Sequence, residues 1–478
     1  MASPLLTDKD PVASSDVVVT LYPTQAKEDA LNTLHESAVE KEKDKKDDES
    51  TMSLSTIDQR VCENWDQDWK ELKGQRDRVV TAMQFDADRI VAGYDGMTIE
   101  VTDIRSGKKL RQLEGHESSV WCLEFVGNTL VSGAVDHTVR VWDLEGGVCT
   151  HVFRHHLSTV RCLRIVMPVN VNSDPKGVPR YEPESPVVIS GSRDSTLDVW
   201  RLPDPELNGH LSPTDMDSWL LHSLTGHTLS VRDVVAEGST AVSASYDKTV
   251  GVWNISTGAL VHRLQGHTQK VYSVALDRAR NICMSGSMDG DVRVWSLDDG
   301  TCLHVLKGHE SLVGLLSLCP GPGLLISAAG DSTLRIWDPV QGISLHTLTG
   351  HDAAVTSFHH DDSKIISGSD GAIMLWDIKS GKFVRDLMTG INAVWQVKLD
   401  KRRCIAAVMR GYDGHSCGHI YFEILDYGVN ETSRNVHDAS VEPGAIDGNL
   451  GDAFADPSRK RKTEDQLDGF SKRHDKVE

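Results

Sequence analysis

Short apolar runs punctuated by turn residues fill the middle of this chain. Stretches such as TLVSG, VRVWDL and CLHVL are rich in Val, Ile, Leu and aromatics and are cut by Gly, Asp and Ser. That pattern predicts short β-strands joined by tight turns. The pattern also repeats. Aligning GHESSVW, HHLSTVR, GHTLSVR, GHTQKVY, GHESLVG and GHDAAVT places His116, His156, His227, His267, His309 and His351 in register, at intervals of 40, 71, 40, 42 and 42 residues. Each of these units later carries a tryptophan, in VWD, VWN or IWD in three of the six.

A period near 40 with this opening and ending is the signature of WD repeats, each of which folds as a four-stranded propeller blade. Two weaker copies flank the clear ones. Arg78 to Asp103 keeps the rhythm without GH and with Thr102 in place of tryptophan, and Ala393 to Asp426 has lost both marks. The chain is therefore expected to be all-β, an eight-bladed propeller over residues 59–429 with blades starting near 76, 116, 156, 227, 267, 309, 351 and 391. The last copy supplies three obvious strands, so VCENWDQDWKEL, near residues 61–72, is expected to add the fourth. Closing the ring this way removes exposed sheet edges. The interval of 71 hides two insertions in the third unit, residues 167–186 and 203–219, both read as loops. They leave the blade on the face opposite the GH and SRD connections.

Composition narrows the function classes. Hydrophobic residues at 39% and charged residues at 25% are ordinary for a globular protein. No run approaches the roughly 18 apolar residues of a membrane helix, and the first 30 residues lack a secretory signal pattern. A net charge of −20 speaks against general nucleic-acid binding. Nine scattered cysteines without a CxxC pair point to reduced thiols in a nuclear or cytoplasmic setting. Residues 1–58 are polar and acidic, and residues 430–478 lose the strand pattern; both are expected to be disordered. The tail holds RKRK at 459–462, which has the look of a nuclear-import signal and equally of a solvated basic tail.

Four positions recur in the regular units and read as frame: a histidine, a serine, an aspartate and a tryptophan, which are His267, Ser285, Asp289 and Trp295 in the fifth. A repeated buried hydrogen-bond chain explains them better than catalysis. His415, Cys417 and His419 in HSCGH have no fourth ligand at a standard spacing, so no metal site and no cofactor are expected. No nucleophile, base and oxyanion set stands outside the repeat, so an enzyme is not expected either.

Two further slots vary. The slot after the first-strand valine reads Val80, Trp121, Arg161, Arg232, Tyr272, Gly314, Thr356 and Trp395 around the ring. The slot before the turn aspartate reads Tyr94, Val135, Arg193, Tyr246, Met288 and Gly330 where the alignment is secure, with no acidic residue among them. Both are expected to open on the mouth of one face. Three arginines then converge with aromatics in consecutive units. Such cations repel one another unless an anion arrives, and guanidinium forks match phosphate oxygens. A phosphoserine or phosphothreonine fits, bringing about −1.5 to −2 charges.

The stretches CTHVF, HLSTVRCLRIV, VVISGSRDSTLDVWRLP, GHTLSVRDV, GHTQKVYSVALD and GHESLVGLLSL, with the ending IAAV and FEILDYG, resemble the WD-repeat domain of the cell division control protein 4 family. Members of that family are F-box substrate receptors of SCF ubiquitin ligases. The resemblance covers about residues 76–429 and implies binding of phosphodegrons, typically phosphothreonine followed by proline. It implies that Arg161, Arg193 and Arg232 hold the phosphate with Tyr246 beside them, and that Trp121, Thr159, Tyr272 and Trp395 line the pocket for flanking proline and aliphatic side chains. It implies that Lys270 disfavours basic residues after the phosphate, while Val135 replaces a small hydroxyl residue. The family's F-box, which docks the Skp1 adaptor of the cullin ligase, has no counterpart in residues 1–58. Two functions follow: a non-catalytic phosphodegron receptor for ubiquitin-dependent turnover, with Skp1–cullin attachment only if an F-box is supplied upstream, or a WD-repeat scaffold or phosphopeptide-binding competitor without ligase attachment. Either way the partners are phosphorylated proteins rather than nucleic acid or membrane.

Overall fold

The computed structural model describes residues 70–76, 78–171, 179–203, 216–319, 321–410 and 419–427. The acidic segment 1–58, the import-like RKRK and the loop residues His415 and Cys417 lie outside them, as does the side chain of His419.

Eight antiparallel four-stranded sheets follow one another along the chain. Their first strands, from Val80–Phe85 in the first blade to Ala393–Leu399 in the eighth, touch neighbour to neighbour around the ring, and the eighth lies against both the seventh and the first. Apolar layers fill the spaces between blades. At the seam, Ile405, Ala407 and Phe422 of the last blade pack with Val80, Ile90 and Tyr94 of the first.

The eighth sheet takes three strands from Ala393–Leu399, Arg403–Arg410 and His419–Asp426, and its fourth from Lys70–Arg76. The described closing strand shares Lys70–Leu72 with the expected 61–72 and continues beyond it to Arg76, while residues 61–69 lie outside the described residues. Pairing of Leu72 with Phe422 and of Lys70 with Ile424 fixes this register. An outermost strand is held by the backbone bonds to its one neighbour.

The third blade holds a second correction. The end of the 203–219 insertion is a helical turn, Met216–Trp219, rather than loop alone. Its Trp219 is 1% exposed and packs edge-on against His151 at 4.6 Å and beside Phe153 at 6.1 Å. The other insertion, 167–186, contains a two-strand ladder, Val169–Asn170 with Tyr181–Glu182.

The frame residues form one hydrogen-bond chain. In the fifth blade Trp295 Nε1 donates to Ser285 Oγ at 2.8 Å, Ser285 lies 2.8 Å from His267 Nε2, and His267 Nδ1 lies 3.0 Å from the Asp289 carboxylate. These contacts are mutually satisfied by a neutral imidazole protonated on Nδ1, with the serine donating to Nε2 while accepting from tryptophan. The chain recurs with His116, His156, His227 and His309. Burial raises the pKa of Asp289, but hydrogen bonds from His267, Thr268 and Asp291 outweigh it and hold the carboxyl far below the usual range. The residue after each turn aspartate is left-handed: His137, Ser195, Lys248 and Ser332 have φ between 65° and 74°, and Gly290 has φ of 81°. Only the glycine adopts this without steric cost, so the aspartate and serine bonds hold the others in place.

The seventh blade departs from the frame. There His351 Nδ1 meets Ser369 Oγ at 2.8 Å instead of a carboxylate, and burial pulls its pKa down to about 4.

His351 is neutral in the fold, so its contribution to stability is whole above pH ~6.5 and is lost as pH falls toward the folded value, a loss on the order of 3 kcal/mol. A proton NMR titration is expected to place the His351 midpoint near 4; a midpoint near ~6.5 would contradict the assignment. Replacing Trp219 by alanine empties a core site and is expected to cost about 3–5 kcal/mol in urea unfolding. A loss below about 1 kcal/mol would mean that the helical turn is not docked.

Candidate functional site

The loop entering each blade and the turn between its second and third strands emerge on one face. A backbone bond ties them. Arg193 N donates to Thr159 O at 2.9 Å, Tyr246 N to Ser230 O at 3.0 Å, and Met288 N to Lys270 O at 2.9 Å. That bond identifies the variable slot in blades whose sequence marks are weak.

In the first blade the donor is Asp95, whose N–H reaches Val79 O at 2.9 Å. The slot residue is therefore Asp95 and not Tyr94, which is buried opposite Val80 with its hydroxyl donating to Glu100. The same register makes Val80 a frame residue and moves the first-strand slot to Thr81. Thr81 donates to Val120 O as Thr356 donates to Val394 O at 2.7 Å. In the seventh blade Ser369 pairs with Val355, so the slot falls on Asp370. Two acidic residues thus occupy equivalent slots, against the expectation of none.

Neither aspartate neutralises the arginines. Among the described residues no carboxylate oxygen lies within 4.0 Å of Arg161, Arg193 or Arg232. The three cations share one field. Burial lowers the pKa of Arg161; Tyr246 opposes that shift, and the charges of Arg232 and Arg193 add to it. The Arg161 guanidinium sits 5.7 Å from the Trp121 ring and 5.8 Å from the Tyr246 ring, held between two π faces. Lys270 Nζ lies 4.8 Å from the same Tyr246 ring, and Tyr246 and Tyr272 meet at 5.1 Å. Burial raises the pKa of Tyr272, with Tyr246 adding and Arg232 and Arg161 opposing, so it stays a neutral phenol.

Contacts and electrostatics therefore join Trp121, Arg161, Arg193, Arg232, Tyr246, Lys270 and Tyr272, with Thr159 bound to Arg193 through the backbone. Trp395 packs on the seam of the eighth and first blades, half a ring from the blade of Tyr246. Val135 takes its slot in the second blade, with its N–H on Ser119 O at 2.9 Å.

Deeper charged residues were not anticipated from the sequence. Glu124 accepts from Ile165 N at 2.9 Å, Arg164 Nε donates to Val234 O at 3.2 Å, and Asp233 accepts from Val274 N at 3.1 Å. These side chains tie first strands of adjacent blades together. Burial raises the carboxyl pKa values of Glu124 and Asp233, and burial together with Arg164 lowers Lys398 to about 8. A signal existed: Glu124, Arg164 and Lys398 each stand four residues after the frame valine of a first strand. Among the described residues no group of three potential ligands could hold a metal ion.

Comparisons with known proteins agree with this architecture. The WD domain, G-beta repeat profile matches residues 107–143, 147–201, 218–254, 258–296, 300–338 and 342–377. The chain is 42% identical over 362 residues to cell division control protein 4 of Candida albicans, covering 74% of this chain and 52% of that protein. It is 42% identical over 376 residues to WD repeat-containing protein pop1 of Schizosaccharomyces pombe, covering 74% and 48%. Cell division control protein 4 of Saccharomyces cerevisiae is 34% identical over 412 residues, covering 80% and 51%. The chain spans about half the length of these relatives. Among solved structures, the computationally designed Ika8 protein superposes with a TM-score of 0.61 at 28% identity, covering 74% of this chain and 98% of that one. The chain belongs to the WD-repeat family, with a propeller similar to that of cell division control protein 4.

Proposed function

We propose that the propeller is a non-catalytic receptor for protein segments carrying phosphothreonine or phosphoserine followed by proline, and that it serves SCF-type ubiquitin-dependent degradation. The observation that carries this reading is the cluster of Arg161, Arg193 and Arg232, which shares one field, has no carboxylate partner among the described residues and is walled by Trp121, Tyr246 and Tyr272. Two unit charges 4 Å apart repel by about 4 kcal/mol at an effective dielectric of 20. A dianionic phosphoryl group relieves that repulsion and supplies acceptors for the guanidinium donors. The aromatic walls suit proline and aliphatic side chains beside the phosphate. Arg193 is exposed and accessible to a ligand, whereas Arg161 is held between the Trp121 and Tyr246 rings.

The degradation role rests on the likeness to cell division control protein 4, and attachment to a Skp1–cullin ligase requires an F-box supplied before the propeller.

Fluorescence titration is expected to show a phosphothreonine-proline peptide binding about 100-fold tighter than its unphosphorylated form. Arg193→Ala is expected to abolish the preference, and Arg161→Ala or Arg232→Ala to weaken binding about tenfold or more. Affinity should fall with added salt. Equal affinity for the two peptide forms would refute the receptor reading and leave a general interaction scaffold.

A further inference from the structure

The face that bears the arginines also exposes two leucines. Leu157 is 82% exposed and Leu229 is 52% exposed, both in loops that enter a blade directly after the frame histidine. At these two loop positions the other clear blades carry Glu117 and Ser118, Thr268 and Gln269, Glu310 and Ser311, and Asp352 and Ala353. Among the six clear blades large apolar side chains occur there only in the third and fourth, which hold all three arginines.

Hydrogen bonds place each leucine beside a slot residue of the mouth. Leu157 N donates to the Asp194 carboxylate at 2.7 Å, next to Arg193. Leu229 O accepts from Ser245 Oγ at 3.0 Å, next to Tyr246. Met288, 49% exposed, fills the slot of the adjoining fifth blade. The loop geometry does not require leucine: the same backbone bond to the turn aspartate is made by Glu117, Thr228, Thr268 and Glu310. A leucine left in water forgoes the burial free energy of its side chain, and here two do so beside one cationic mouth.

We propose that Leu157 and Leu229 form an apolar shelf beside the arginines that reads a hydrophobic residue in the same phosphorylated segment. This inference rests on the receptor reading and adds a second specificity element to it. The charge cluster then selects phosphate, and the shelf selects among phosphorylated segments.

The test uses phosphothreonine-proline peptides in which leucine or serine is placed at each position two to four residues from the phosphate, on either side, with binding followed by fluorescence anisotropy. One position is expected to bind about tenfold tighter with leucine than with serine. The double variant Leu157→Ser, Leu229→Ser is expected to lose that gain while keeping its preference for phosphorylated over unphosphorylated peptide. Phosphate-dependent binding that is indifferent to leucine at every position would overturn the shelf alone. Loss of phosphate preference in the unmodified protein would overturn the receptor reading and the shelf with it. Concentration-dependent self-association abolished by the double variant would assign the leucines to a second copy of this chain and overturn the proposal.

Discussion

In blades two to six, one serine hydroxyl carries the architecture. Ser285 and its counterparts accept from a buried indole and donate to a buried imidazole, which in turn donates to the turn aspartate. None of these groups could be buried without a partner, and each partner comes from a different part of the repeat. The chain of bonds therefore fixes the entry loop, the second strand, the turn and the third strand relative to one another. It also anchors a left-handed residue beside each turn aspartate, at Ser195 and Lys248 for example. With the backbone held at both the loop and the turn, the residues just outside this frame need not contribute to folding.

That freedom is what the mouth uses. Arg161, Arg193 and Arg232 stand in slots where other blades carry Gly314, Gly330, Met288 or Thr356. The bond from Arg193 N to Thr159 O is the same one made by Gly330 N to Leu312 O, both at 2.9 Å. The backbone cannot tell an arginine from a glycine there. Repulsion among the cations is thus borne by a scaffold whose stability comes from elsewhere, a common arrangement for binding groups on a rigid frame. The aspartates at 95 and 370 give the rim an opposite sign in the first and seventh blades, so the mouth is polar across its width and not uniformly basic.

Most of the fold was legible because its determinants are local and repeated. The GH loop, the turn aspartate and the tryptophan set phase in six units, and that phase was sufficient to place Arg161, Arg193, Arg232, Tyr246 and Tyr272 in one neighbourhood. Phase failed where the marks fail. In the first blade, two adjacent valines and no histidine made Val80 look like the slot, and the acidic Asp95 was hidden one residue beyond Tyr94. In the seventh blade a shortened turn concealed Asp370. The closing strand runs past its expected end because KELKGQR pairs through its backbone with His419–Asp426, and such pairing leaves no local mark in the sequence. Trp219 was missed because a tryptophan at the end of a polar insertion gives no local sign that it folds back onto Phe153.

The central claim is that three guanidinium groups act together on one phosphate. The most direct test is the phosphorus NMR resonance of a bound phosphothreonine peptide, followed between about pH 4.5 and 7.5 around the phosphate's ordinary second pKa of about 6. Converging cations favour the dianion, so the bound phosphate is predicted to titrate at least about one pH unit below the free peptide. A bound phosphate that titrates with the free peptide would contradict the account.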